Sequence, residues 1–259
     1  MALEKNIVLD ASRHEVWDKV ATGPGLSSWF VPHELEPREG GTGRADFGGT
    51  TLAEGVVEVY DQGNRVVYRG KAQADEAGET EPKLEFRLAD DGGGRTTLTL
   101  RQEGFPEADQ AVYEAGWDVY LHTLQASFEH FGGEHAATTA SFVDSSLREN
   151  AAFEKVRQAL GAEGDASEGQ QVQLQALEAT EGVVELRKSE APLDAITIRT
   201  ADGFVRAIAA SYTASGDDEG CAVSVTRFKY ARGEGLAAAV EREEVDAAGL
   251  QLWLEEALG

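Results

Sequence analysis

The 259-residue chain has little cysteine, few basic residues and no long apolar run. Its only cysteine, Cys221, excludes an intramolecular disulfide and a cysteine-rich zinc or iron–sulfur site. No stretch approaches the roughly 20 apolar residues that span a bilayer, and residues 1–6 contain no apolar segment of a signal peptide. From these absences we expect a cytoplasmic protein in a reducing compartment.

Positive charge is scarce, because 23 basic residues face 47 acidic ones and the formal net charge is −24. A surface of this sign repels phosphate backbones and anionic lipids, so we expect neither nucleic acid nor a membrane as a partner. The acidic residues are divided evenly, with 24 before Gly132 and 23 after Gly133. Such a distribution indicates a generally solvated surface rather than an acidic tail or a calcium loop.

The length and a hydrophobic content of 41% predict two domains, residues 1–133 and 138–259. In the first, Ser12 and Glu15 form a capping box that starts a helix, and Gly23–Pro24 is expected to end that helix. Apolar residues at helical spacing predict a long helix over residues 113–131. Alternating patterns and turn residues predict strands at residues 6–9, 42–47, 52–60, 65–69, 84–88 and 96–101.

The second half repeats this order weakly, which suggests a degenerate, shortened duplication. A strand at 140–143 and a helix at 147–160 are followed by an exposed loop at 161–170. Further strands are expected at residues 172–177, 183–187, 196–199, 204–212 and 221–230, before a closing helix at 236–258. Small residues on that helix predict close packing without a pocket, in a domain that serves as a packing partner for the first: Ala237, Ala238, Ala247 and Ala248.

Four segments of the first half carry a family resemblance. They are Ala11–Trp17 with Trp29, Gly55–Val59 with Arg65–Tyr68, Thr97–Leu100 with Gly104–Phe105, and Gly116–Trp117 with Leu121 and Leu124. In this order and spacing they resemble the START-like (SRPBCC, helix-grip) superfamily, specifically bacterial proteins similar to the activator of the heat-shock-protein-90 ATPase. The second half lacks a V-W or G-W pair at the corresponding places.

The resemblance implies an α+β fold with two helix-grip domains, each an antiparallel curved sheet wrapped around a long C-terminal helix. It also implies a cavity between sheet and helix in the first domain. An aromatic stripe at helical spacing suits a cavity wall or a packed core, and both interpretations stay open. The candidate ligand-binding residues are Trp29, Phe47, Tyr68, Phe86, Tyr113, Trp117, Tyr120 and Leu124.

Motifs for other chemistry are missing or weak. Gly40–Gly43 is followed by no phosphate-loop lysine, and no G-x-S-x-G nucleophile elbow is present. His130, Glu134 and His135 would share a metal only if a helix continued through Gly132–Gly133, which those glycines disfavour. We therefore expect no metal and no cofactor.

Three functions follow as hypotheses. The leading one is a non-enzymatic protein that binds a small apolar or amphipathic molecule in the first domain. The second is a cochaperone-like module that contacts a chaperone, as the resemblance implies. The third is a cyclase- or dehydratase-like enzyme that uses cavity residues as acids or bases, with these candidates: Tyr68, Tyr113, Tyr120 and His122.

Overall fold

The computed structural model of the chain describes residues 1–47, 52–71, 73–75, 78–133, 135–144, 149–162, 166–174, 181–190, 193–213, 219–230 and 247–259. The chain divides into two compact units, one within residues 1–133 and one within residues 134–259. None of the helices in the described ranges is both long enough and apolar enough to cross a bilayer.

The first unit is built on an antiparallel sheet of seven strands. Its strands are β1 (Ala2–Leu9), β2 (His33–Leu35), β3 (Thr42–Asp46), β4 (Leu52–Asp61), β5 (Arg65–Gly70), β8 (Lys83–Gly92) and β9 (Arg95–Glu103). They lie in the order β1-β9-β8-β5-β4-β3-β2. Two short strands, β6 (Gln73–Asp75) and β7 (Gly78–Thr80), pair separately with each other.

Two short helices follow β1, and the capping box that starts the first is confirmed. In α1 (Arg13–Val20), the side chains of Ser12 and Glu15 each accept a hydrogen bond from the other's backbone N–H. The prediction that Gly23–Pro24 ends this helix was wrong. The helix stops at Val20, and Gly23 begins α2 (Gly23–Ser27), whose N-cap Thr22 accepts a hydrogen bond from Gly25 N–H at 3.0 Å.

The long helix α3 (Gln110–Phe131) follows a short 3-10 turn at Glu107–Asp109. It ends at Gly132, whose φ of 66° is left-handed, so a glycine is suited to this C-terminal position. Trp117 joins the helix to the sheet, because its ring lies 6.3 Å from the ring of Phe86 on β8 and its indole N–H donates to Gln102 on β9. The core of the first unit lies between this helix and the sheet.

The second unit repeats the arrangement with six strands. Its elements are β10 (His135–Asp144), α4 (Glu149–Ala159), β11 (Gln171–Val172), β12 (Gly182–Glu190), β13 (Leu193–Thr200), β14 (Gly203–Thr213), β15 (Glu219–Tyr230) and α5 at residues 247–258. The strand order is β10-β15-β14-β13-β12-β11. In both units the first strand pairs antiparallel with the last, and a helix follows that last strand. The predicted α+β fold of two helix-grip domains is confirmed.

Several details of the second half differ from expectation. The described part of the strand predicted at 172–177 is only Gln171–Val172, and residues 175–180 lie outside the described ranges. The loop at 161–170 is not wholly exposed, because Ala162 and Ala166 are buried in the core.

The alanines predicted to seat the closing helix do not do so in its described part. Ala247 is half-buried and Ala248 is exposed, whereas the core contacts come from leucines at helical spacing: Leu250, Leu254 and Leu258. Ala237 and Ala238 lie outside the described residues. That this unit lacks a pocket stays a prediction.

Candidate functional site

A cavity of about 150 Å³ opens on the inner face of the first unit's sheet. Its floor comes from strands β3, β4, β5, β8 and β9, while Phe30 and Trp117 close it from the side of α2 and α3. The rings of these two residues are 4.8 Å apart, and Phe47 meets Phe30 edge-on at 5.6 Å. Aromatic rings therefore form one wall, and Phe47, 38% exposed, belongs to the solvent side.

Small residues on neighbouring strands leave the space that the cavity occupies. Gly43 on β3 pairs with Gly55 on β4, and Gly55 pairs with Gly70 on β5. Ala45 and Ala53 form the next cross-strand pair on the same face. Since residues two apart share a face of a strand, these five positions present almost no side-chain volume to the interior.

The next row of inward residues toward α3 is larger and carries the polar groups. Tyr68 on β5 pairs with Leu84 on β8, which pairs with Gln102 on β9. The Tyr68 hydroxyl donates to the carbonyl of Val20 at 2.7 Å, and the Gln102 side-chain oxygen accepts from Trp117. Burial raises the pKa of Tyr68, so its phenol stays protonated at neutral pH. The Tyr68 hydroxyl and the Gln102 side-chain oxygen thus both form hydrogen bonds within the protein.

His33 lines the cavity from the edge strand β2. Its Nδ1 lies 2.6 Å from the carbonyl oxygen of Val31, and its backbone N–H donates to the hydroxyl of Ser27 at 2.8 Å. Burial lowers the pKa of this imidazole although the Val31 carbonyl opposes the shift, so the neutral form prevails at pH 7.

Charged residues along the cavity are paired with one another or with neighbours. Arg44 contacts Glu34 at 2.7 Å. Arg69 and Lys83 share Glu58 at 3.2 and 2.7 Å. These pairs are partly exposed to solvent, so they contribute little to stability and leave the cavity itself apolar.

The family comparison fits this architecture. Residues 10–129 match the family described as activator of Hsp90 ATPase homolog 1-like protein. This match lies within the first unit, which has the helix-grip fold and is called the START-like domain below.

Three solved structures are similar to the chain. DynU16, from the dynemicin biosynthetic locus, is 15% identical, with 99% of this chain and 97% of that chain covered and a TM-score of 0.44. CalU16 from Micromonospora echinospora is 21% identical, with coverage of 47% and 71% and a TM-score of 0.40. The Aha1 dimer from Colwellia psychrerythraea is 17% identical, with coverage of 51% and 98% and a TM-score of 0.42. No curated protein sequence matches the chain.

Of the eight predicted ligand-binding residues, three line the cavity of the START-like domain: Phe47, Tyr68 and Trp117. The other five are not among its lining residues. Trp29, Phe86 and Leu124 are fully buried in the core, and the Trp29 indole N–H donates to the Lys19 carbonyl at 2.9 Å. Tyr113 stacks on Phe105 at 4.7 Å, and Tyr120 meets Phe30 at 4.6 Å.

The candidates for acid–base or metal chemistry are dispersed. Of Tyr68, Tyr113, Tyr120 and His122, only Tyr68 is among the lining residues of this cavity. His130 lies in the last turn of α3, and Gly132 ends that helix, so His135 belongs to β10 instead. Across the part of the chain that the structure describes, no three His, Cys, Asp or Glu side chains are grouped so as to hold a metal ion.

Phe30, His33 and Gln102 were missed by sequence reasoning. Gln102 has a detectable signal, since it continues the inward alternation of Leu98 and Leu100 along β9. Phe30 directly follows Trp29, and the two rings stack at 5.7 Å. His33 lies on a strand of only three residues, which is too short to show any alternation.

Proposed function

We propose that the START-like domain acts as a binding protein that holds one small apolar or amphipathic molecule in the cavity. The observation that carries this proposal is a space of about 150 Å³ with aromatic and aliphatic walls and a floor of glycine and alanine. An apolar cavity of about this size in another protein binds benzene. We therefore expect an occupant with one aromatic ring or an equivalent aliphatic group.

The hydrogen bond from the Tyr68 hydroxyl to the Val20 carbonyl supports a binding role rather than a catalytic one. A general base must reach the proton that it abstracts, and a buried phenol with a raised pKa that already donates to a carbonyl does not supply one. The binding role thus uses the cavity's shape and apolar surface.

A titration with toluene, followed by the indole N–H resonances of the ¹⁵N-labelled protein, tests the proposal. The signal of Trp117, assigned from its loss in Trp117→Phe, should shift and saturate, because this side chain lines the cavity. The signal of Trp253, which lies in the second unit, should not move. Shifts that grow linearly, or that are equal for all tryptophans, would contradict a specific site.

A matched pair of variants locates the site. Ala53→Leu adds side-chain volume on the cavity floor. It should weaken toluene binding at least about tenfold, because the leucine side chain occupies the space that toluene needs and must move before toluene can bind. Ala89→Leu makes the same change at an exposed position of β8 and should leave the affinity unchanged. Equal affinities for the two variants would place the ligand elsewhere.

The family match favours a second candidate, contact with a chaperone of the heat-shock-protein-90 class. The net charge of −24 would complement a basic patch on such a partner. Capture of the purified host chaperone should weaken as salt is raised, since exposed charges are screened, whereas toluene affinity should be nearly indifferent to salt. If wild type and Ala53→Leu capture the chaperone equally, chaperone contact does not depend on the cavity. If neither captures the chaperone at low salt, the chaperone hypothesis is wrong.

A further inference from the structure

The edge strand β2 directs His33 toward the cavity. His33 pairs with Ala45 of β3, so the two side chains stand on the same face of the sheet as the cavity floor. The imidazole ring lies 5.2 Å from the ring of Phe30, which is part of the aromatic wall. The histidine is therefore a polar group set among apolar lining residues.

Local hydrogen bonds fix which ring nitrogen carries the proton. A carbonyl oxygen only accepts, so the contact of 2.6 Å between Nδ1 and the Val31 oxygen requires a hydrogen on Nδ1. In the neutral imidazole Nε2 is then an acceptor. Ser27 holds the residue in place, since its hydroxyl accepts from the His33 backbone N–H at 2.8 Å and donates to the Gly23 carbonyl at 2.8 Å.

The other uncharged polar groups of the cavity are engaged differently. The hydroxyl of Tyr68 donates to Val20, and the side-chain oxygen of Gln102 accepts from the indole of Trp117, which leaves the amide N–H groups of Gln102 as donors. Among the described residues, Nε2 of His33 has no hydrogen-bond partner. On this cavity-lining residue, Nε2 is an acceptor open to a ligand.

We propose that the cavity selects ligands that carry a hydroxyl group on an aromatic or similarly apolar body, and that Nε2 of His33 accepts the hydrogen bond from that hydroxyl. This selectivity rests on the proposed binding function. An apolar ligand without the donor leaves Nε2 unsatisfied once it displaces water, whereas a phenol restores the bond. The ligand class is therefore small phenols and comparable alcohols.

Toluene and p-cresol test the inference, because they differ only by the hydroxyl. The measured quantity is the ratio of the two Kd values, toluene over p-cresol, in wild type and in His33→Phe. The variant keeps an aromatic ring and removes the acceptor, so the ratio should fall about tenfold. His33→Gln restores an acceptor and should recover part of the ratio. His14→Phe, at an exposed position of α1, is the matched control and should leave the ratio unchanged.

The outcomes separate the two proposals. If wild type binds neither compound, the binding function itself fails. If both bind but the ratio is the same in wild type and His33→Phe, the function stands and the role of His33 is overturned, with the Gln102 amide as the alternative source of selectivity. If His33→Phe does not fold, His33→Leu removes the acceptor instead, and a ratio in that variant equal to the wild-type ratio overturns the proposal.

Discussion

We expect the hydroxyl of Tyr68 to stabilise the end of α1 rather than to bind a ligand, and Tyr68→Phe separates the two roles. Val20 is the last residue of α1, and the final carbonyls of a helix have no partner within it. The Tyr68 hydroxyl satisfies the Val20 carbonyl at 2.7 Å, and Val20 is 0% exposed, so water has little access there. The substitution deletes the donor and keeps the aromatic ring.

The expected loss follows from that geometry. A typical intramolecular hydrogen bond contributes about 1 kcal/mol net, and a buried acceptor left unpaired costs about 1–3 kcal/mol. We therefore expect Tyr68→Phe to lower the free energy of unfolding by about 1–3 kcal/mol. Urea unfolding, followed by tryptophan fluorescence, should show a lower midpoint with an unchanged slope. Toluene affinity should stay within about threefold of wild type, because the ring that lines the cavity remains.

Tyr60→Phe is the matched control. The Tyr60 ring packs edge-on against Trp17 at 5.2 Å, and its hydroxyl makes no hydrogen bond among the described residues. Its loss should change stability by less than about 0.5 kcal/mol. If Tyr68→Phe were as stable as Tyr60→Phe but bound toluene or p-cresol much more weakly, the hydroxyl would belong to the ligand site and the assignment to α1 would be refuted.

Two further predictions concern stability. Glu85 is buried on β8, where burial raises its pKa but hydrogen bonds from Arg65 and Arg87 outweigh that effect and hold the pKa below its usual value. Glu85→Gln should cost about 1–3 kcal/mol at pH 7 in urea unfolding. The difference from wild type should shrink as pH falls below about 4.3, because the unfolded chain then binds a proton at Glu85 that the folded protein takes up only at lower pH. Leu254→Ala, in the core contact of α5, should cost about 2–5 kcal/mol, whereas Leu252→Ala on the same helix, 59% exposed, should cost less than about 0.5 kcal/mol.

Each of these has a clear contrary result. A Glu85→Gln deficit that did not change between pH 7 and pH 3 would mean that the carboxylate charge contributes nothing, because a depressed folded-state pKa requires stability to be lost on acidification. Equal effects of Leu254→Ala and Leu252→Ala would mean that α5 does not pack through its leucine face.

Local signals account for the parts of the fold that the sequence predicts well. The capping box of α1 needs only Ser12 and Glu15, three residues apart, and the left-handed end of α3 needs only Gly132. Such features depend only on residues a few positions apart in the sequence, so they can be predicted without knowledge of the fold.

The error at Gly23–Pro24 shows where local signals are ambiguous. A proline after a glycine is typical of a helix end, but a proline in the first turn is equally typical of a helix start. The deciding contact is the hydrogen bond from Gly25 N–H to the Thr22 hydroxyl at 3.0 Å, and Thr22 also donates to the Asp18 carbonyl at 2.7 Å. One threonine therefore serves the end of α1 and the start of α2 together.

The buried position of Glu85 shows a different limit. Its alternation with Leu84 and Phe86 correctly places it on the opposite face of β8, which for a sheet with one solvated face predicts exposure. The carboxylate is instead covered and bound by Arg65 from the neighbouring strand, at 2.6 Å. Cross-strand neighbours depend on strand order and register, which the pattern of one strand does not contain.

The candidate site was predicted only in part, because a cavity is determined by the side chains that are missing as much as by those that line it. Along the inner face of the sheet, the row Val66–Phe86–Leu100 is large and fully buried, so Trp29 and Trp117 pack directly against it. Two residues further along the strands, the next row is Tyr68–Leu84–Gln102. The row after that is Gly43–Gly55–Gly70. A sequence search for aromatic residues finds Phe86 and the tryptophans that pack on its row. That row belongs to the core, because its large side chains fill the space between the sheet and the helix. The space remains where the rows become small, and it is this end of the sheet that brings His33 to the ligand side.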